Sequence, residues 1–336
     1  MKIIVDAFGG DNAPKAMIEG AMAARDKWGI DIIFSGNREE IEKCANDNGI
    51  DLSGIEILDA QSVISMHDDP RAVIKAKTDS SMSVGLKAVA EGVGDGFISA
   101  GSTAALVVGS TFIVKRIKGI KRAALGSALP TIEGKQFFLM DEGANADCRP
   151  EMLLQFGVMG SVYAENVMGI KNPRVALLNI GTEDTKGGEL QLAAYKLLQE
   201  SELNFIGNVE ARDLMFGACD VAVSDGFSGN ICLKMAEGTA SAILKMLKGA
   251  FTKNLKTKIA AALVMPELSV LKKTMDYKEI GAAPIVGVKK PVYKAHGNSD
   301  SIAFCNAIGL LKTAIETDTT QKLETKIKML KETEEE

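Results

Sequence analysis

Short apolar runs alternate with amphipathic stretches along almost the whole of this 336-residue chain. KIIVD (2–6), DIIFS (31–35), IEILD (55–59), GFISA (96–100), VALLNI (175–180), DVAVSD (220–225) and VYKA (292–295) are continuously aliphatic or β-branched rather than alternating. Strands covered on both faces have this look. Helical periodicity fills the gaps at 14–28, which opens on Pro14, and at 79–91, 188–200 and 300–313. Such strand–helix alternation predicts an α/β fold with a mostly parallel sheet. One stretch departs from it. RAALGSALP (122–130) and QFFLMD (136–141) flank the Gly-containing TIEGK, which predicts an antiparallel hairpin. No linker or internal repeat interrupts the pattern, so residues 1–312 read as a single α/β domain. Residues 313–336 read as a charged tail helix, exposed and frayed at its final EEE, with Leu323, Ile327 and Leu330 at helical spacing.

Composition narrows the class. Hydrophobic residues make up 46% and charged residues 25%, ordinary values for a globular chain that can bury a full core. The 33 glycines against 8 prolines fit an enzyme with many tight loops, and a 5% aromatic share argues against a stacking platform. A net charge of −5 argues against a general nucleic-acid binder. The five cysteines are odd in number and lack C-x-x-C spacing, so neither a disulfide framework nor a structural zinc is expected. They suit reduced thiols in the cytoplasm. The longest apolar run, IAAALVM (259–265), is far below the ~20 residues of a membrane span, so contact with a membrane is expected to be peripheral.

The segments just after the strands are more informative. DAFGGDNAP (6–14), AGSTAA (100–105), DEGANADCRP (141–150), GTEDTKGG (181–188), DGFSGN (225–230) and HGNSDS (296–301) are all small and polar. In open α/β sheets ligands bind beyond the carboxyl ends of the strands. Loops of this kind supply backbone N–H groups and helix N-termini that favour anions such as phosphate. Lys186 is a rare cation in an acidic loop beside Gly187 and Gly188, placed to meet a phosphate. Asn230 can donate its amide N–H to an anion or oxyanion, and otherwise caps a helix. His296 opens HGNSD directly after a strand; the other histidine, His67, suggests no clear role. No G-x-G-x-x-G follows a strand and no G-x-x-x-x-G-K-[ST] occurs, so no nucleotide cofactor is expected. A G-x-S-x-G elbow is also missing.

Taken together the loops resemble the PlsX family, the acyl-carrier-protein:phosphate acyltransferases. DAFGGDNAP is similar to that family's DAMGGD-x-AP, with Phe8 for Met, and KTDSSM (77–82) to its K-x-DSS-M. DEGANADCRP, LLNIGTEDTKG (177–187), FIGNVEARD (205–213), DGFSGNICLK (225–234) and HGNSD come in the family's order, covering residues 1 to 312. AGSTAA departs from AGNTGA at Ser102 and Ala104. The resemblance implies a three-layer α/β/α fold similar to phosphotransacetylases and isocitrate/isopropylmalate dehydrogenases. It also implies reversible transfer of a fatty acyl group from acyl carrier protein to inorganic phosphate, giving acyl phosphate for phospholipid synthesis. No metal or cofactor is implied, and a homodimer is. Phosphate is already nucleophilic and a thiolate leaves readily, so the site needs only to hold the anion and stabilise the oxyanion. On that footing Lys186, Asn230 and His296 are the expected catalytic residues. Gly101, Ser102, Thr103 and Gly229 are expected to cradle phosphate, and Asp6, Asp141 and Asp225 to orient loops. An alternative is a phosphotransacetylase-like or phosphobutyryltransferase-like enzyme acting on CoA thioesters.

Two basic patches suit such partners. VKRIKGIKR (114–122) carries Lys115, Arg116, Lys118, Lys121 and Arg122, a cationic surface for an acidic carrier protein. Residues 244–273 hold seven lysines and one acid, and read as a protruding helical hairpin over about 240–275, broken at Pro266, with an apolar tip at Leu263, Val264 and Met265. That tip suits an anionic membrane surface, where a membrane glycerol-3-phosphate acyltransferase would consume the product; packing on a dimer partner is the other reading.

Overall fold

The computed structural model describes residues 1–275 and 281–335. Its strands are β1 (Lys2–Asp6), β2 (Asp31–Gly36), β3 (Glu56–Asp59), β4 (Gly96–Ser99), β5 (Ala124–Pro130) and β6 (Gln136–Met140), then β7 (Val175–Asn179), β8 (Phe205–Glu210), β9 (Val221–Val223), β10 (Ala282–Val286) and β11 (Val292–Ala295). They form one sheet in the order β3-β2-β1-β4-β11-β10-β5-β6-β9-β7-β8. Helices cover both faces, giving the expected three-layer arrangement. Most of the continuously apolar strands lie inside the sheet, with β3 at its edge: Ile3, Ile4 and Val5 of β1 and Phe97 and Ile98 of β4 are fully buried.

Two parallel wings meet in a short antiparallel centre. β3-β2-β1-β4-β11 run parallel, as do β6-β9-β7-β8. β10 is antiparallel to both β11 and β5, and β5 to β6. The predicted hairpin is present, with Gly126 opposite Met140 and Pro130 opposite Gln136. Its three successive antiparallel pairings make the two wings run in opposite directions.

Three sequence expectations change. The tail helix, Thr319–Glu335, is not exposed throughout: Leu323 is 2% and Ile327 0% accessible. Both join the main apolar cluster that contains Leu153 and Tyr163 of helix Pro150–Asn166, so the i,i+4 spacing marks a docking face. Glu336, at the expected frayed end, lies outside the described residues. The hairpin is present as helices Gly226–Thr252 and Leu255–Met275, but it turns at Lys253–Asn254 rather than at Pro266. There Asn254 Oδ1 accepts from the Thr257 N–H and Thr257 Oγ1 from the Asn254 N–H, each at 3.0 Å. This reciprocal cap starts the second helix, which runs on through position 266. Leu263, Val264 and Met265 therefore lie along a helix rather than at a tip, and are 80%, 41% and 53% exposed. The side chains of Lys272 and Lys273 lie outside the described ones.

Candidate active site

The strand-end loops interlock through short polar contacts. The buried Asp6 ends β1 and accepts from Ser99 Oγ at 2.6 Å, and Ser99 Oγ accepts the Gly101 N–H at 3.0 Å. Burial pushes the Asp6 carboxyl above its ordinary value, and the Ser99 bond works against that. Asp6 thus fixes the start of the 101–103 loop. Gly9 lies so close that a Cβ there would meet the Gly101 nitrogen at 2.6 Å. The Asp11 N–H donates to the Gly297 carbonyl at 2.7 Å, tying the β1 and β11 loops together.

A second cluster forms beyond β6 and β9. Asp141 Oδ1 accepts N–H groups of Leu125, Gly143 and Ala144, and Oδ2 accepts the Asn145 N–H at 2.7 Å and its Nδ2–H at 2.8 Å. Burial raises this carboxyl above the usual carboxylate value while the donors pull it down. Asp225 caps helix Gly226–Thr252 by accepting from the Ser228 N–H at 2.8 Å and from Ser228 Oγ at 2.9 Å. Gly229 sits where a Cβ would lie 1.9 Å from the Asp141 carbonyl oxygen, so only glycine lets the helix start against the end of β6. All three aspartates hold loops in place, and Gly229 is a close-packing residue.

Between the clusters lies a cleft of about 490 Å³. Thr103, Asn230 and His296 line it, together with Lys294, Glu142 and Ser127. Its remaining wall is largely apolar, with Val107, Val108, Leu125, Leu129 and Leu233. Asn230 Nδ2 donates one N–H to the Glu142 carbonyl at 2.9 Å, leaving its second N–H for a ligand. Gly101 and Ser102 stand just behind Thr103; Ser102 is buried and accepts the Ala105 N–H at the start of helix Thr103–Gly109. Lys186 is not among the cleft-lining residues. Its half-exposed ammonium sits 3.9 Å from Glu183, in a loop where Asn179 Nδ2 donates to the Lys186 carbonyl.

Lys294 and Glu142 escaped the sequence reading. Lys294 is half-buried at the end of β11, and its Nζ donates to the carbonyls of Ala100 and Ala295. Burial lowers its pKa to about 8, although the nearby Asp11 and Asp6 favour the charged form. It precedes His296 by two positions, so strand periodicity puts both on one side and is the signal that could have found it. Glu142 is 3% exposed, and nothing in the string DEGAN announces that its carboxyl is buried. Among the described residues no group of three or more His, Cys, Asp or Glu is placed to hold a metal ion.

The basic run 114–122 starts at the end of the helical turn Ser110–Lys115 and continues as a loop. Ile117 and Ile120 are buried as anchors, and the Ile117 N–H donates to Gly287 O and the Lys289 N–H to Lys115 O, both across to the β10–β11 turn. Lys115, Arg116, Lys118 and Arg122 are exposed and Lys121 half-exposed, 3.7 Å from Glu151; Lys289 and Lys290 extend the patch.

Fold and cleft together define a class. The chain has the fold of a phosphotransacetylase from Streptococcus pyogenes, with a TM-score of 0.65 at 17% identity over 94% of each chain. It belongs to the family described as fatty acid synthesis protein, whose profile matches residues 1–322. It is similar to a phosphate acyltransferase from Bacillus licheniformis (48% identical, covering 97% of this chain and 98% of that one). It is likewise similar to one from Lysinibacillus sphaericus (48% identical, covering 94% and 95%). The expected family is thus borne out.

Proposed function

We propose that this protein is an acyltransferase that moves a fatty acyl group from the thioester of acyl carrier protein to inorganic phosphate. The observation that carries this reading is the cleft itself, in which polar donors converge beside an apolar wall. Lys294 has three N–H groups and spends two on carbonyls, so the third is available to phosphate. Thr103 supplies a hydroxyl beside it. The apolar wall receives the first part of the acyl chain. A phosphate oxygen then attacks the thioester carbonyl, and the free Asn230 N–H meets the oxyanion that develops. As the carbon–sulfur bond breaks, the thiolate takes up the proton that hydrogen phosphate gives up on becoming an acyl phosphate dianion. His296, on the same wall, is suited to carry that proton. No acyl-enzyme is needed, because phosphate itself is the nucleophile.

The cationic patch supports a carrier-protein substrate, since acyl carrier proteins are acidic. The exposed apolar positions of the helical hairpin, Ile243 and Met246 on one helix and Leu263 to Met265 on the other, support two further parts of the reading. One is a homodimer paired along the hairpin. The other is attachment to an anionic membrane, where a glycerol-3-phosphate acyltransferase would take the product. Among the described residues no helix is long and apolar enough to cross a membrane. Hydroxylamine trapping of acyl phosphate from acyl-carrier protein and from acyl-CoA, at matched concentrations, tests the substrate. Preference for the carrier protein is expected; equal or better use of acyl-CoA would favour the CoA alternative.

A further inference from the structure

Glu142 has an arrangement that the reaction leaves unused. It lines the cleft, yet it is almost wholly buried at 3% exposure. Its Oε1 accepts from Ser127 Oγ at 2.7 Å, and Ser127 lines the same cleft. Its Oε2 is buried and has no hydrogen-bond partner among the described residues. A buried carboxylate oxygen without a donor is costly, whereas a protonated one carries its own donor and needs only an acceptor. The acceptor is the missing piece, and the cleft is where it would enter.

We propose that Glu142 works as a neutral carboxylic acid whose Oε2–H donates a hydrogen bond to an oxygen of the phosphate held in the cleft. The inference rests on the phosphate acyltransferase reading for the identity of the anion. Its surroundings favour the neutral form. Burial is the main cause, Asp141 on the same loop and Glu237 on helix Gly226–Thr252 add negative charge, and Ser127 Oγ and Lys234 oppose them, leaving the pKa at about 8. Lys294 and His296 face the same cleft from β11 and the loop after it. An ionised Glu142 would repel phosphate, so binding should weaken as pH rises through 8. A carboxyl kept neutral by an apolar site is a known way to make an acid serve as a donor.

Lys294 also titrates near pH 8, so the alkaline limb alone does not separate the two groups. Glu142→Gln does. Its amide Oε1 can still accept from Ser127 and its Nε2–H stands in for the acid proton, without titrating. The KM for phosphate should rise roughly 10- to 150-fold in Glu142→Ala, the range for losing a hydrogen bond to a charged group. It should rise less in Glu142→Gln, whose KM should climb less steeply between pH 7 and 9 than the wild type's, the remaining slope belonging to Lys294. An alkaline limb unchanged in Glu142→Gln would assign the titration to Lys294 and overturn the proposal. Infrared difference spectra of the wild-type protein, with and without inorganic phosphate at pH 7, need no variant and no turnover. A neutral-carboxyl C=O band that shifts on adding phosphate is expected, and it should be missing from Glu142→Gln. No phosphate-sensitive band in the wild type would also overturn the proposal. Failure to make acyl phosphate would sink the reaction assignment instead, while the infrared response still decides the role of Glu142.

Discussion

Asp141→Asn removes one charge and exchanges one acceptor for an NH₂ group, in a side chain that meets only donors. Leu125, Gly143 and Ala144 present N–H groups to Oδ1, and Asn145 presents two to Oδ2. The best orientation of an asparagine keeps its oxygen on the side with three donors. The two from Asn145 then face an NH₂ group. A buried donor left without an acceptor costs about 1–3 kcal/mol, so the expected loss is about 2–6 kcal/mol. The lower end applies if Asn145 Nδ2 keeps its other acceptor, the Ala123 carbonyl at 2.8 Å. Against a total stability of about 5–15 kcal/mol this is severe. At roughly 2 °C per kcal/mol the thermal midpoint should fall by about 4–12 °C. Amide exchange at Asn145 should accelerate ahead of the rest, because its N–H loses its acceptor first. Activity should fall as well, since the same loop carries Glu142 and its carbonyl holds Asn230. An unchanged melting curve with unchanged exchange at 143–145 would refute the idea that Asp141 holds this loop.

Gly229→Ala puts a methyl group 1.9 Å from a backbone oxygen and should destabilise the protein by about 1–3 kcal/mol, read by urea unfolding; full stability would mean the helix start has room. Reversing Lys115, Arg116 and Lys118 to Glu should raise the KM for acyl-carrier protein, most at low salt, and leave acyl-CoA kinetics nearly unchanged. Equal losses on both substrates would point to a damaged fold. Leu263→Glu, at a position 80% exposed, should release the protein from anionic vesicles in co-sedimentation while soluble acyl transfer continues. Loss of the dimer on size exclusion instead would favour pairing along the hairpin.

Most strands that could be read in the sequence are buried on both faces, where the whole surface has to be apolar; the half-exposed edge strand β3 is an exception. β10 and β8 were not legible. β10 is AAPIV, in which two alanines and Pro284 carry little strand signal, and the neighbours β11 and β5 supply the order. β8 is an edge strand carrying Gly207 and Asn208, with an irregular register against β7. The hairpin turn was misplaced because Pro266 looked like a breaker, while the reciprocal cap of Asn254 and Thr257 left only a weak trace. The strand-end loops did announce the cleft, which Thr103, Asn230 and His296 share. Lys186 looked alike in the sequence but comes after β7, on the far side of β9 from the cleft loop after β6, and strand order is not written in local pattern. Lys294 and Glu142 were missed because burial, not residue type, gives them their chemistry.

The most direct test of the central claim is a phosphorus-31 NMR time course of the purified protein with fatty acyl-carrier protein and inorganic phosphate, free of nucleotide and added metal. An acyl phosphate resonance should grow as the thioester disappears, one for one, and should be nearly abolished in Asn230→Ala. A thioester that stays intact, or one that is lost as free fatty acid while phosphate is untouched, would contradict direct attack by phosphate in this cleft.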